Sequence, residues 1–101
     1  MSTWKAVERS IASLLGGERV PINGRIRGSA PDVEHPWMSI EIKHRNRKGG
    51  LPKYILDSLD QAQKSAQGDQ LPVAIWHEKG KKYTDSVIMM NLGDFIEHFG
   101  V

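Results

Sequence analysis

The chain has 101 residues, 39% hydrophobic, 7% aromatic and 26% charged, with ten glycines, five prolines and no cysteine. It has room for one small core, read as a single domain over residues 1–101, which excludes a large multi-domain enzyme, a disulfide scaffold, a thiolate zinc site and a cysteine nucleophile. The formal net charge is only +2, but residues 1–53 carry ten Lys/Arg against five Asp/Glu while residues 54–101 carry four against seven, which favours one basic face.

The longest apolar runs, such as Val87-Ile88-Met89-Met90, are strand-sized, far below the roughly 18 residues of a membrane span. Glu8 interrupts the apolar pattern of the N-terminal segment, so neither a membrane span nor a signal peptide is expected and the cytoplasm is the expected location. A core this small is marginal alone, and a homo-oligomer or bound ligand is expected to support it.

From Trp4 to Leu15 the apolar residues Trp4, Val7, Ile11, Leu14 and Leu15 recur at helical steps. Ser2 or Thr3 is available as N-cap and Gly16-Gly17 as the stop. Val20 and Ile22 alternate in a short strand over 18–22, Asn23-Gly24 is a turn signal, and 25–31 is a basic loop containing glycine. Asp32 to His35 begins a strand that Pro36 interrupts. Trp37 to His44 has the clearest strand alternation, with Met38, Ile40 and Ile42 on one side and Trp37, Ser39, Glu41 and Lys43 on the other.

After the basic run His44-Arg45-Asn46-Arg47-Lys48, Gly49-Gly50 is a joint and Pro52 suits the first turn of a second helix, whose buried stripe is Ile55, Leu59, Ala62 and Ala66. Leu71 to Glu78 and Tyr83 to Met90 read as a hairpin with the basic tip Lys79-Gly80-Lys81-Lys82, with the methionines and Trp76 as core. Asn91 is placed to cap a last helix carrying Leu92, Phe95, Ile96 and Phe99. The order α-β-β-β-α-β-β-α predicts an α/β protein with one mixed sheet flanked by helices.

The most informative constellation is Pro31-Asp32, eight residues, then Glu41-Ile42-Lys43. On a strand, Glu41 and Lys43 project from one face and meet the same substrate. Two carboxylates converging from neighbouring strands suit a hard divalent cation, and a nearby ammonium can orient or deprotonate a water. The plainer alternative is a chance carboxylate-x-Lys on a solvated strand. Glu8 lies on the helix face of Trp4, Ile11, Ala12 and Leu15, where a carboxylate is costly without a partner. It is either a snorkelling or arginine-paired residue at the stripe's edge or an acidic member of a site.

The segment Lys43 to Lys48, with Arg25 and Arg27 before it and the 79–82 tip after it, supplies phosphate-neutralising charge, although such runs are also ordinary solvated loops. The four histidines lack a paired zinc spacing, and His44 alone is a phosphate-contact candidate. Gln61 sits beside the apolar face of the second helix, either as an exposed helix residue or as support for a site.

In the order of these motifs the chain resembles the restriction-endonuclease-like nucleases, marked by Pro-Asp, a spacer and Asp/Glu-x-Lys, and more narrowly their archaeal and phage Holliday junction resolving enzymes. The resemblance runs from Glu8-Arg9 through Arg19-Val20-Pro21 and Pro31-Asp32-Val33 to Ile40-Glu41-Ile42-Lys43-His44-Arg45, with a weaker echo in helix 2 and Leu71-Pro72-Val73. It implies a restriction-endonuclease-like core, a central mixed β-sheet flanked by helices. It also implies Mg²⁺, with Mn²⁺ substituting, held by Asp32, Glu41 and the Ile42 carbonyl. Lys43 would position or activate the water, and Glu8 would be a helix-borne acidic member. Arg9, Arg19, Asn23, Arg25, Arg27, Ser29, His44, Arg45, Arg47 and Lys48 are the implied DNA contacts. Asn23-Gly24 stands where the archaeal enzymes commonly have Ser-Gly.

The expected activity is hydrolysis of two symmetry-related strands of a four-way DNA junction by a metal-activated water, which needs two sites and therefore a homodimer. The alternatives are a nuclease of the same fold acting on flap, branched or linear DNA, a catalytically silent DNA-binding protein of that fold, and an unrelated small α/β protein.

Overall fold

A computed structural model describes residues 3–20, 32–44 and 49–100. They fall into two compact units, one within Met1–Arg47 and one within Lys48–Gly100. Together they make a small α/β protein of three helices and two two-stranded antiparallel sheets among the described residues.

In the first unit, α1 spans Trp4–Leu14, β1 Glu18–Arg19 and β2 Val33–Glu34. Thr3 caps α1, its hydroxyl accepting from the Ala6 N–H at 3.2 Å, a bond of a type that stabilises a helix by roughly 1 kcal/mol. The helix closes in a Schellman turn, with Gly17 N–H on the Ala12 carbonyl at 2.9 Å and Gly16 N–H on that of Ser13 at 3.1 Å. Gly16 takes the left-handed conformation this turn requires, at φ +72°. Gly17 is needed for a different reason: a Cβ there would run into the Glu34 carbonyl oxygen and lie 2.7 Å from Val33 Cγ1. The chain leaving α1 therefore lies directly on β2.

The buried face of α1 is Glu8, Ala12 and Leu15, packed with the fully buried Val33. Leu14 and Trp4, both assigned to the stripe from the sequence, are instead exposed. β1 pairs with β2 in the register Glu18 opposite Glu34 and Arg19 opposite Val33. The expected strand from Trp37 to His44 is reduced to one antiparallel bridge, Val33 to Ile40. Its alternation survives nonetheless: Met38, Ile40 and Ile42 are half-buried while Trp37, Ser39, Glu41 and Lys43 are exposed. The ladder stops because Ile42 N–H donates to the Asp32 side chain rather than to a backbone carbonyl.

In the second unit, α2 spans Lys53–Ser65, β3 Ala74–Trp76, a 3₁₀ turn Tyr83–Asp85, β4 Val87–Met89 and α3 Leu92–Phe99. Ile55, Leu59 and Ala74 are buried where α2 meets β3, with Ala62 and Ala66 half-buried behind them. Burying Ile55 and Leu59 contributes roughly 1.5–3 kcal/mol each. The exposed side of α2 carries Lys53–Asp57 and Asp60–Lys64 ion pairs at 2.7 and 2.8 Å. The hydrogen bond and charge of Asp60 raise the Lys64 ammonium above its ordinary pKa.

β3 and β4 pair Ala74 with Met89, Ile75 with Ile88 and Trp76 with Val87. Both strands are shorter than the sequence predicts. Pro72 has no N–H to offer a ladder, and residues 83–86 close local bonds instead, Asp85 N–H to the Lys82 carbonyl and Ser86 N–H to that of Tyr83. Trp76, expected in the core, is 44% exposed and meets Tyr54 edge to face at 5.4 Å. α3 has Asn91 at its N-cap without a side-chain bond, and Phe99 is exposed rather than buried. All pairings among the described residues are antiparallel, and they form two two-stranded sheets, consistent with the α/β class expected.

Candidate active site

Glu8 and Asp32 are the buried charged residues among those described, both at 6% exposure, and both lie in the first unit. Each is held by a specific bond. Arg19 Nε donates to Glu8 Oε1 at 3.0 Å, in a pair whose side chains are 13% and 8% exposed. One helical turn before Glu8, Trp4 puts its ring centroid 5.3 Å from the Arg19 guanidinium carbon, a cation–π arrangement. Arg19 Nη2 is buried with no hydrogen-bond partner among the described residues, an arrangement that costs roughly 1–3 kcal/mol. Glu8 is thus the arginine-paired residue that one sequence reading allowed, inside the unit rather than at the stripe's edge.

Asp32 joins three stretches of chain. Its carbonyl accepts from Val20 N–H at 2.9 Å, its N–H donates to the Ile40 carbonyl at 3.0 Å, and its Oδ2 accepts from Ile42 N–H at 2.6 Å. The last bond is short and charge-assisted, the strong kind. It brings the Asp32 carboxylate to the backbone between Glu41 and Lys43, the contact the spacing of the two motifs asks for. Glu41 and Lys43 pair with each other at 3.2 Å, at 61% and 86% side-chain exposure. At that exposure the pair adds little stability and both groups remain accessible to a ligand.

The other predicted site residues are scattered. Arg9 is exposed on α1, His44 is exposed beyond Lys43, and Gln61 is exposed on α2 in the second unit. Arg19, expected at DNA, has its guanidinium on Glu8 and Trp4. Pro31, Asn23, Arg25, Arg27, Ser29, Arg45, Arg47 and Lys48 lie outside the described residues. An open cleft elsewhere in the unit is lined by Gly17, Glu18, Glu34, His35 and Ser39 and includes none of the predicted acidic residues of the site. Trp4 is the contributor the sequence reading missed. Its i, i+4 spacing to Glu8 placed it on the same helix face and was the available signal.

Among the described residues no three His, Asp or Glu side chains gather into a metal-holding group. The set implied by the motif is different, two carboxylates and one peptide carbonyl. Asp32 and Glu41 offer hard anionic oxygens, and the backbone of Ile42 already touches Asp32. That donor chemistry fits Mg²⁺ or Mn²⁺.

Family models, curated proteins and solved structures were all compared with this chain, and none matches it. No described helix is long and apolar enough to cross a membrane.

Proposed function

We propose that the chain is a metal-dependent endonuclease with a restriction-endonuclease-like core, acting on four-way DNA junctions as a homodimer. The observation that carries this reading is the 2.6 Å bond from Ile42 N–H to Asp32 Oδ2, which links a buried aspartate to the Glu41-Ile42-Lys43 segment. A chance Glu-x-Lys has no reason to be tied to a buried carboxylate ten residues away, whose desolvation cost its hydrogen bonds offset without making it preferable to an apolar residue.

Asp32, Glu41 and the Ile42 carbonyl would hold Mg²⁺, which supplies a more acidic water and positive charge at the phosphate. Burial fixes Asp32, while the exposed Glu41 would be free to turn onto the metal at little cost. Lys43, released from Glu41, orients the attacking water and offsets the charge that develops on the phosphate. Glu8, held by Arg19, adds a fixed negative group to the same unit.

The test is incubation of the protein with a four-way junction labelled on each strand in turn, with Mg²⁺, beside linear duplex and the Asp32→Asn and Lys43→Ala variants. Paired symmetric nicks confined to the wild type support a resolving enzyme. Equal rates on duplex and junction reduce the reading to a nuclease of the same chemistry. Binding without cleavage on every substrate replaces it with a DNA-binding protein. Sedimentation at assay concentration checks the dimer, and a strict monomer would remove that part.

A further inference from the structure

We propose that the tip of the β3–β4 hairpin is a nucleobase-stacking site, in which Tyr83 takes an unstacked base on its open ring face and Lys79 and Lys82 neutralise the adjoining phosphates. The proposal takes its ligand class from the nuclease reading, but concerns binding in the second unit and is measured without cleavage.

Tyr83 is 85% exposed, the most exposed of the large apolar side chains described. A solitary surface tyrosine would need no explanation. This one sits on a tip that is organised without using its ring. Lys81 N–H bonds the Glu78 carbonyl, Asp85 N–H that of Lys82 and Ser86 N–H that of Tyr83, at 3.1, 3.0 and 3.1 Å. His77 Nε2 lies 2.9 Å from the Lys81 carbonyl, pinning its imidazole across the loop. The pinned ring is 5.0 Å from that of Tyr83, tilted by 46°. The phenol thus has one aromatic neighbour held in place by the loop, and at 85% exposure most of its ring surface is open to solvent.

The charge at the tip suits the same ligand. Lys81 is engaged with Glu78 at 3.6 Å, and Asp85 opposes phosphate binding from the 3₁₀ turn. Lys79 and Lys82 precede Tyr83 by four residues and one, and both are exposed. An aromatic platform beside cationic side chains binds single-stranded or splayed nucleotides, because every base has a π-face and every linkage an anion. An acidic peptide would satisfy the lysines and leave the ring unused, so nucleic acid is the occupant the arrangement favours.

The experiment is fluorescence anisotropy of the full-length protein with a labelled single-stranded oligonucleotide, in EDTA to prevent cleavage, beside duplex of the same sequence. Tyr83→Ala is expected to weaken single-strand binding about tenfold and Tyr83→Phe to preserve it. Lys79→Ala with Lys82→Ala is expected to lower the salt dependence by roughly 1.4 in logarithmic slope. Circular dichroism checks that substitution at these exposed positions leaves the fold intact.

Single-strand affinity unchanged in Tyr83→Ala overturns the proposal, even where the lysine variant binds more weakly. Tighter binding of polyglutamate than of the oligonucleotide overturns it in favour of a protein partner. Its failure is separable from that of the nuclease reading. Tyr83-dependent binding with no cleavage of any substrate keeps the stacking site and removes the nuclease, while Asp32-dependent cleavage with Tyr83-independent binding does the reverse.

Discussion

The two units handle charge in opposite ways. The first buries Glu8 and Asp32 beside Ala12, Leu15 and Val33, whereas the buried residues of the second are Ile55, Leu59 and Ala74, with exposed ion pairs on α2 and at the hairpin tip. A unit selected for stability alone would resemble the second, since buried ion pairs are often replaceable by apolar residues at no loss. The contrast sets the buried charge of the first unit, on which the proposed nuclease reading rests, against the apolar packing of α2 and β3 in the second.

The largest effect that would sharpen this contrast is Asp32→Asn. It keeps the shape and an oxygen for the Ile42 N–H, and is expected to lower Mg²⁺-dependent cleavage by more than about a hundredfold while thermal unfolding moves little. Retained cleavage would return Asp32 to a purely structural role.

Next comes Glu8→Leu, which strips Arg19 of its carboxylate and should cost about 3–5 kcal/mol in urea unfolding. Glu8→Leu with Arg19→Leu should recover most of that loss. The recovered protein is expected to be stable and inactive, and full activity in it would break the contrast, because the buried pair would then serve neither stability nor chemistry.

In the second unit Leu59→Ala is expected to cost about 2–3 kcal/mol in the same assay, with the cleavage rate per folded molecule unchanged. A rate that fell in a fully folded preparation would show that this packing does more than support.

The smallest effect is at Lys64. Its pKa is raised by the hydrogen bond and charge of Asp60, so the pair's contribution is complete below the ordinary lysine pKa and disappears as pH rises through the elevated value. A slight loss of helical circular dichroism over that alkaline range, absent in Lys64→Gln, is the expected signature. The group is fully solvated, so salt should weaken it further.

All three helices were legible in the sequence because their signals are local. The step of three and four residues, Thr3 as a cap and Gly16-Gly17 as a stop do not depend on distant partners. The strands were less legible because a ladder needs an acceptor on another segment. Between Trp37 and His44 the alternation predicts burial correctly, yet the acceptor at Ile42 is a side chain, and the strand never propagates. Residues 83–86 fail differently, since a run that reads as extended closes its bonds on itself.

At the candidate site, Glu8 on the inner face of its helix and the proximity of Asp32 to the Glu41–Lys43 segment followed from spacing. The engagement of Arg19 by Glu8 and Trp4 did not, because an arginine beside a basic loop reads as a nucleic-acid contact until its tertiary neighbours are known.

Gly16 and Gly17 carry one further consequence, for how this protein tolerates drift. Gly16 is fixed by a dihedral angle and has open space around it, so asparagine, which visits the left-handed region at modest cost, is a permitted replacement. Gly17 is fixed by the volume that Glu34 and Val33 already occupy, and no dihedral tolerance helps a side chain there. Two adjacent and identical letters thus have different alphabets: the first has two, and the second has one.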